Sequence, residues 1–352
     1  MSKIIKVLVV DDSAYVRKVV RQMLSRSPFL EVVGTARDGE EALEMVERLQ
    51  PDVVTLDLLM PGLDGAGFLA EQMKRCPLPV IVVSIASQSG SAALAALDLG
   101  AIDFIQKPTA LATEKVFEIS DELTEKVKAA AGVRLSHLAV ADSAASKDGS
   151  KATALSTSAR DTAMFDAVVI GISTGGPQAL KQVIPRLPAD FPVPIGIVLH
   201  MPVGYTEMYS RKLDEISALR VVEASEGQVV EPGLVVLAQA GRHLYFNRRP
   251  DGAVVTHLDA RPFDTPHRPA VDVLFQSAAE VYKNRVLGVV MTGMGSDGRQ
   301  GAAWIKSQGG AVFTESESSC VVYGMPGSVV EAGLSDRSVA LDEMARAILE
   351  AV

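Results

Sequence analysis

Cysteine is nearly absent: Cys76 and Cys320 are the only two in 352 residues. They stand far apart and in different expected domains, so no disulfide framework is expected and a reducing cytoplasm fits. Clustered positive charge is missing as well. The 34 Lys and Arg are outnumbered by 43 Asp and Glu, which gives a net charge of −9, and no long basic run occurs. Neutralising phosphates takes clustered Lys and Arg, so a nucleic-acid partner is not expected. No apolar run approaches the length of a membrane span, and no membrane insertion is expected. A strand pattern starts almost at the first residue, so no signal peptide is expected. What the chain does have is apolar residues, 48% against 22% charged. That is the balance of a globular protein, and the length allows two or three domains with a core in each.

In the first third, apolar runs at 6–10, 30–34, 52–57, 79–84 and 101–108 read as strands. Helical patterns separate them. Ser13 is placed to cap the first helix, whose stripe is Val16, Val19, Val20, Met23 and Leu24, and 38–49 reads as the second. Alternation of this kind predicts a parallel sheet. The polar residues gather at the strand ends: Asp11 and Asp12, Asp57, Ser84, and Lys107. In an open α/β sheet, ligands bind beyond those carboxyl ends. Three carboxylates crowded there repel one another unless a hard cation joins them, and Mg²⁺ suits such a site. A metal, a hydroxyl and an ammonium around one aspartate can stabilise a phosphoryl group on it.

This pattern resembles the receiver domain of two-component response regulators. The resemblance rests on Asp11-Asp12, on Asp57 followed by Leu58-Leu59-Met60-Pro61-Gly62-Leu63-Asp64-Gly65, on Ser84, and on Lys107-Pro108. It implies a (βα)5 flavodoxin-like fold over 1–125, phosphorylation of Asp57, Mg²⁺ at Asp11, Asp12 and Asp57, and a partner kinase. It further implies switch roles for Ser84, Lys107 and the aromatic Phe104. A last amphipathic helix is expected at 116–127. Residues 139–163 are rich in Ala, Ser, Thr, Asp and Lys without periodicity, so 126–163 is expected to be a flexible linker.

The rest of the chain, 164–352, is organised around Gly171-Ile172-Ser173-Thr174-Gly175-Gly176-Pro177. An apolar strand, 167–170, precedes it and a helix, 178–184, follows. A serine in a glycine-rich strand-to-helix turn faces the unpaired N–H groups of a helix start, which suits a nucleophile whose intermediate is an oxyanion. A strand at 194–199 ends in His200, and one at 285–291 runs into Thr292-Gly293-Met294-Gly295-Ser296-Asp297-Gly298. A serine, a histidine and an aspartate thus each follow a buried strand, and parallel strands bring such ends to one edge. His200 is placed to act as base and Asp297 as its orienter. By residue type alone, Ser173 could instead cap its helix, Asp297-Gly298 could be a plain turn, and His243 or His267 could be the base. Apolar pieces at 229–230, 234–237 and 253–255, parted by Gly and Pro, suggest hairpins that extend the sheet antiparallel. The fold expected for 164–352 is therefore a doubly wound, mostly parallel α/β domain with an antiparallel hairpin extension.

This second part resembles the catalytic domain of chemotaxis protein-glutamate methylesterases. The matching segments are Gly171 to Pro177, His200-Met201-Pro202, His267-Arg268-Pro269-Ala270-Val271-Asp272-Val273-Leu274-Phe275, and Met291 to Gly298. The resemblance implies a Ser173, His200, Asp297 triad, with Met294 and Thr174 as oxyanion candidates and no cofactor for the ester reaction. It implies hydrolysis of glutamate methyl esters on methyl-accepting chemotaxis receptors, deamidation of receptor glutamines, and a chemotaxis histidine kinase as phosphodonor. A cytoplasmic monomer is expected. The chain departs from the family's usual pattern at Ala270, at Ala238-Gln239-Ala240-Gly241-Arg242-His243, and at Ile85-Ala86-Ser87; none of these is a triad position.

Overall fold

The computed structural model describes residues 3–84, 86–107, 115–133 and 164–352, with the backbone alone at 86–89 and 115–118. The expected linker at 134–163, together with His137, Ile85 and Pro108, lies outside the described residues.

The first unit runs β1 (Ile5–Val10), α1 (Ala14–Leu24), β2 (Leu30–Ala36), α2 (Gly39–Leu49), β3 (Val53–Leu56), α3 (Gly65–Arg75), β4 (Val80–Ser84), α4 (Ala86–Asp98), β5 (Asp103–Gln106) and α5 (Lys115–Ala131). Its five strands are ordered β2-β1-β3-β4-β5 and every pairing is parallel. Short polar side chains start the helices: Ser13, Asp38 and Asp64 each accept an N–H from the first turn of α1, α2 and α3. The central strands β1, β3 and β4 are apolar on both faces because helices cover both. One expectation fails at the boundary. The helix expected to end at 127 continues to Ala131, so residues 126–131 belong to α5 and not to a linker. Apolar Val127 and Ala130 are buried and carry its stripe on.

The second unit runs β6 (Ala167–Ile172), α6 (Gly176–Val183), β7 (Ile195–Leu199), α7 (Thr206–Glu215), β8 (Arg220–Glu223), β9 (Leu234–Leu237), β10 (His243–Arg248), β11 (Val254–Asp259), α8 (Val271–Tyr282), β12 (Val286–Val290), α9 (Arg299–Ser307), β13 (Ala311–Glu315), α10 (Met325–Glu331), β14 (Arg337–Val339) and α11 (Leu341–Ala351). Seven strands form one sheet in the order β14-β13-β12-β6-β7-β9-β8, all parallel. The expected antiparallel hairpin is present, as β10 and β11, but residues 234–237 are not part of it. Residues 234–237 are β9, which pairs parallel with β7 and β8 inside the main sheet. Among the described residues only β10 and β11 are antiparallel strands, and they form a separate two-stranded sheet, with one further bridge from Val229 to Val255. A four-residue apolar run between turns has the same pattern in either direction, so its sense is set by the neighbours it meets.

The two units touch. Leu94, Leu97 and Phe104 of the first belong to the same apolar cluster as Met201, Tyr205 and Tyr209 of the second. Asp98, at the end of α4, takes ion pairs from both Lys181 of α6 and Lys212 of α7. The Gln178 side chain donates to the Leu97 carbonyl. Val321 of the second unit packs against the apolar cluster beneath α1 and α5.

Candidate active site and phosphoacceptor site

Because β12, β6 and β7 are adjacent and parallel, their carboxyl ends form one edge. Ser173 follows β6, His200 follows β7, and the 291–298 loop follows β12. Backbone bonds join the three: Ser173 N–H donates to the Thr292 carbonyl at 2.9 Å and His200 N–H to the Ile172 carbonyl at 3.1 Å. Gly175 adopts φ +79° before α6, and a side chain there would meet Val321 at 2.7 Å. Gly293 lies against the serine: a Cβ added to it would stand 2.8 Å from Ser173 Cβ and 2.4 Å from Met325 Sδ. Both turns therefore require glycine.

His200 Nε2 and Asp297 Oδ2 are 2.8 Å apart, and both side chains are almost fully buried. Nδ1 of His200 is buried and has no partner among the described residues, so Ser173 does not hydrogen-bond it in this state. Asp297 also accepts from the Val271 and Asp272 N–H groups at the start of α8, at 2.8 and 2.9 Å. Burial alone would raise its pKa, but the bonds from His200 and these two amides outweigh it and hold the carboxyl below its ordinary value. Charge is thus kept where an imidazolium would need it.

The competing histidines are placed differently. His243 is fully buried, accepts from the Ala270 N–H through Nδ1 at 3.1 Å, and bonds the Pro262 carbonyl through Nε2 at 3.0 Å. Both its nitrogens are spent on backbone. The His267 ring stacks on His200 with centroids 4.0 Å apart. Desolvation first, and then the charge of His200, push the His267 pKa down to about 4, although part of the ring is open to solvent. Of the oxyanion candidates, Thr174 is buried and its hydroxyl has no partner among the described residues, and Met294 is half-buried in the loop beside Ser173.

Two acids not expected from sequence hold this edge. Asp272 accepts from the Gly298 and Gly301 N–H groups at 2.9 and 2.7 Å, and burial pushes its pKa up to about 6. Glu315, the last residue of β13, is fully buried and accepts from the Thr292 N–H at 2.9 Å. Its signal was available: an apolar strand ending in a polar residue, as at Ser173 and His200.

In the first unit, Lys107 Nζ bridges Asp11 Oδ2 at 2.6 Å and Asp57 Oδ2 at 2.7 Å. Burial lowers the Lys107 pKa, but the two carboxylates more than reverse this and raise it. Burial raises the Asp11 pKa, and the charge on Asp57 adds to it against the pull of Lys107. Carboxylate oxygens of Asp11, Asp12 and Asp57 all lie within 4.8 Å of one another, a spacing that fits one hard cation. Ser84 and Phe104 are buried, and both face Tyr205 of the second unit.

Each unit matches a known family. Residues 168–348 match the family model described as CheB methylesterase, and residues 7–115 match the response regulator receiver domain. A protein-glutamate methylesterase/protein-glutamine glutaminase 5 of Myxococcus xanthus is 50% identical over 341 residues, covering 97% of this chain and 96% of its own. A protein-glutamate methylesterase/protein-glutamine glutaminase of Symbiobacterium thermophilum is 46% identical over 356 residues, covering 99% and 97%. The crystal structure of the Thermotoga maritima CheB methylesterase catalytic domain superposes with a TM-score of 0.52 at 42% identity, covering 53% of this chain and 99% of that one. Among the described residues no helix is long and apolar enough to cross a membrane. With a receiver domain in front and a strand-edge His200–Asp297 pair beside the Ser173 turn, the chain belongs to the CheB methylesterase family.

Proposed function

We propose that this chain hydrolyses glutamate methyl esters on methyl-accepting chemotaxis receptors, deamidates receptor glutamines by the same route, and is activated by phosphorylation of Asp57. Ser173 Oγ attacks the ester carbonyl while His200 takes its proton, and Asp297 stabilises the imidazolium. The tetrahedral oxyanion is met by N–H groups of the Met294 loop and the Thr174 turn. Methanol leaves with the proton returned by His200, and water then hydrolyses the acyl-enzyme by the same steps. An amide passes through the same intermediate and releases ammonia. The observation that carries this reading is the 2.8 Å His200–Asp297 contact at the edge where the Ser173 turn opens.

The receiver supplies the switch. Asp11, Asp12 and Asp57 would hold a Mg²⁺, which neutralises the phosphoryl oxygens when bound. A chemotaxis histidine kinase is the phosphodonor, and the protein acts in the cytoplasm as a monomer. The domains are a receiver that ends with α5 at about Ala131, a linker up to 163, and a catalytic domain over 164–352. In the unphosphorylated chain the receiver restrains the catalytic edge, through Phe104 on Tyr205, Asp98 on Lys181 and Lys212, and Val321 beside Gly175.

A second reading, a phosphorylation-switched binding module without catalysis, is disfavoured by the buried His200–Asp297 pair, which a binding module has no use for. Methanol release from methylated receptor separates the two. Ser173→Ala should leave the fold intact and lower release by about 10⁴-fold or more. Retention of more than a few per cent of the rate would remove Ser173 from the reaction.

A further inference from the structure

Glu315 has no part in the reaction as written, yet it is wholly buried beneath the nucleophile turn. It sits one position past Thr314, which pairs with Val290, so its side chain meets the backbone where β12 becomes the 291–298 loop. Oε2 accepts from the Thr292 N–H at 2.9 Å and Oε1 from the Ser319 hydroxyl at 3.0 Å. Ser319 Oγ in turn accepts from the Leu341 N–H at 3.0 Å. None of these partners is a cation. A buried acid without one is costly, and a structure keeps it only where its bonds are all used.

Thr292 passes the restraint on. Its carbonyl accepts the Ser173 N–H at 2.9 Å, its hydroxyl donates to the Thr174 carbonyl at 2.9 Å, and the same hydroxyl accepts the Val322 N–H at 3.0 Å. Next in the chain, Gly293 donates to the Val322 carbonyl at 3.0 Å and accepts from Met325 N–H at 2.8 Å. Both the serine and the loop carrying Met294 are therefore tied to one residue, and that residue is tied to Glu315.

We propose that Glu315 is a positioning residue for ester hydrolysis: through Thr292 it fixes the Ser173 backbone relative to the Met294 loop, so that nucleophile and oxyanion donors stay in register. The proposal rests on Ser173 being the nucleophile. A displacement of a few tenths of an ångström between attacking oxygen and oxyanion donors costs rate without touching substrate affinity, because those donors act on the transition state. Burial pushes Glu315 up to about 7, so a neutral side chain of the same shape can replace it. A glutamine can accept from Thr292 N–H and donate to Ser319 Oγ.

The test uses the full chain and two measurements: kcat and KM for methanol release, and the rate at which a serine-directed fluorophosphonate labels Ser173. Glu315→Ala should lower kcat and the labelling rate together by at least tenfold with KM within about twofold. Glu315→Gln should restore both to within about threefold of wild type. A folded Glu315→Ala protein with wild-type kcat and labelling overturns the proposal, as does a folded Glu315→Gln protein as slow as the alanine variant. Should Glu315→Ala not fold, Thr292→Val, which removes the hydroxyl bond to Thr174, decides: a fall of at least fivefold in kcat is expected, and an unchanged kcat overturns it. Absence of labelling in the wild type, or labelling that survives Ser173→Ala, would instead count against Ser173 as nucleophile.

Discussion

The Phe104 ring of the receiver lies 4.6 Å from the Tyr205 ring of the catalytic unit, tilted by 43°, and both side chains are fully buried. Burial raises the Tyr205 pKa, and the nearby Ser84 side chain pulls the other way. The two residues expected to respond to phosphorylation of Asp57 are thus in contact with one side chain at the start of α7. Tyr209, one turn further on, donates its hydroxyl to the Pro177 carbonyl at 2.7 Å, in the first turn of α6 behind Ser173. Packed rings and a buried hydrogen bond link the phosphoacceptor pocket to the catalytic turn.

The ion pairs at Asp98 make this contact adjustable. Burial raises the Asp98 pKa, but Lys181 and Lys212 outweigh it and hold the carboxyl below its ordinary value. Lys181 is itself held below its usual value, by burial and by the charge of Lys212, despite Asp98. One carboxylate is shared by two ammonium groups. Half-exposed pairs of this kind contribute about 0.2–1 kcal/mol each, so the clamp is modest. Asp98→Ala should raise methanol release by the unphosphorylated full chain about three- to tenfold, and high salt should do the same to the wild type. An unchanged basal rate in both would remove the clamp from the restraint.

The histidines separate by the partners they keep. His200→Ala should lower activity by several powers of ten. His243→Ala leaves the Ala270 N–H unpaired in the interior, so it should lower the unfolding temperature, with activity per folded molecule changed far less. His267→Ala removes only a stacked ring and should cost less activity than His200→Ala. Thermal unfolding measured beside kcat for the three variants checks this. A folded His243 or His267 variant as inactive as His200→Ala would reassign the base.

Stability should carry the signature of the buried acids. Glu315 titrates at about 7 in the folded chain and near 4.3 when unfolded. Between those values the folded state holds a proton that the unfolded state has released. Its contribution is complete below about pH 4, falls as pH rises through the window, and is gone above about pH 7. The difference is on the order of 3 kcal/mol. Asp272, raised to about 6 by burial, adds the same sign over a narrower range. Unfolding temperatures at pH 5 and 7.5 should therefore drop less in Glu315→Gln than in the wild type. Equal drops would contradict a raised Glu315.

Much of this was readable in advance, and for a definite reason. Asp11, Asp57, Ser84, Lys107, Ser173 and His200 all end or follow short apolar strands, and parallel pairing alone carries such ends to one edge. Asp297 belongs to the same logic with a six-residue loop between it and β12. What stayed hidden depends on partners distant in sequence. Asp98 reaches Lys181 and Lys212 across separations of 83 and 114 residues. No local pattern marks a surface aspartate as one half of a clamp. The direction of β9 was lost for the same reason, since its apolar run does not say which neighbour it pairs with. Asp272 was quoted within a motif but given no role, because its role is to bind the amides of another helix.

In the proposed function the receiver restrains a serine hydrolase until Asp57 is phosphorylated. A tenfold activation needs only about 1.4 kcal/mol of difference between the two receiver states, within reach of one aromatic contact and two half-exposed ion pairs. The most direct measurement is methanol release from methylated receptor by three proteins side by side: the full chain, its Asp57→Asn variant, and the fragment 164–352, each with and without a small-molecule phosphodonor and Mg²⁺. The fragment should be faster than the full chain without phosphodonor, the full chain should rise when phosphodonor is added, and Asp57→Asn should stay low throughout. Equal rates for the fragment and the unphosphorylated full chain, or activation of Asp57→Asn by the phosphodonor, would contradict the account.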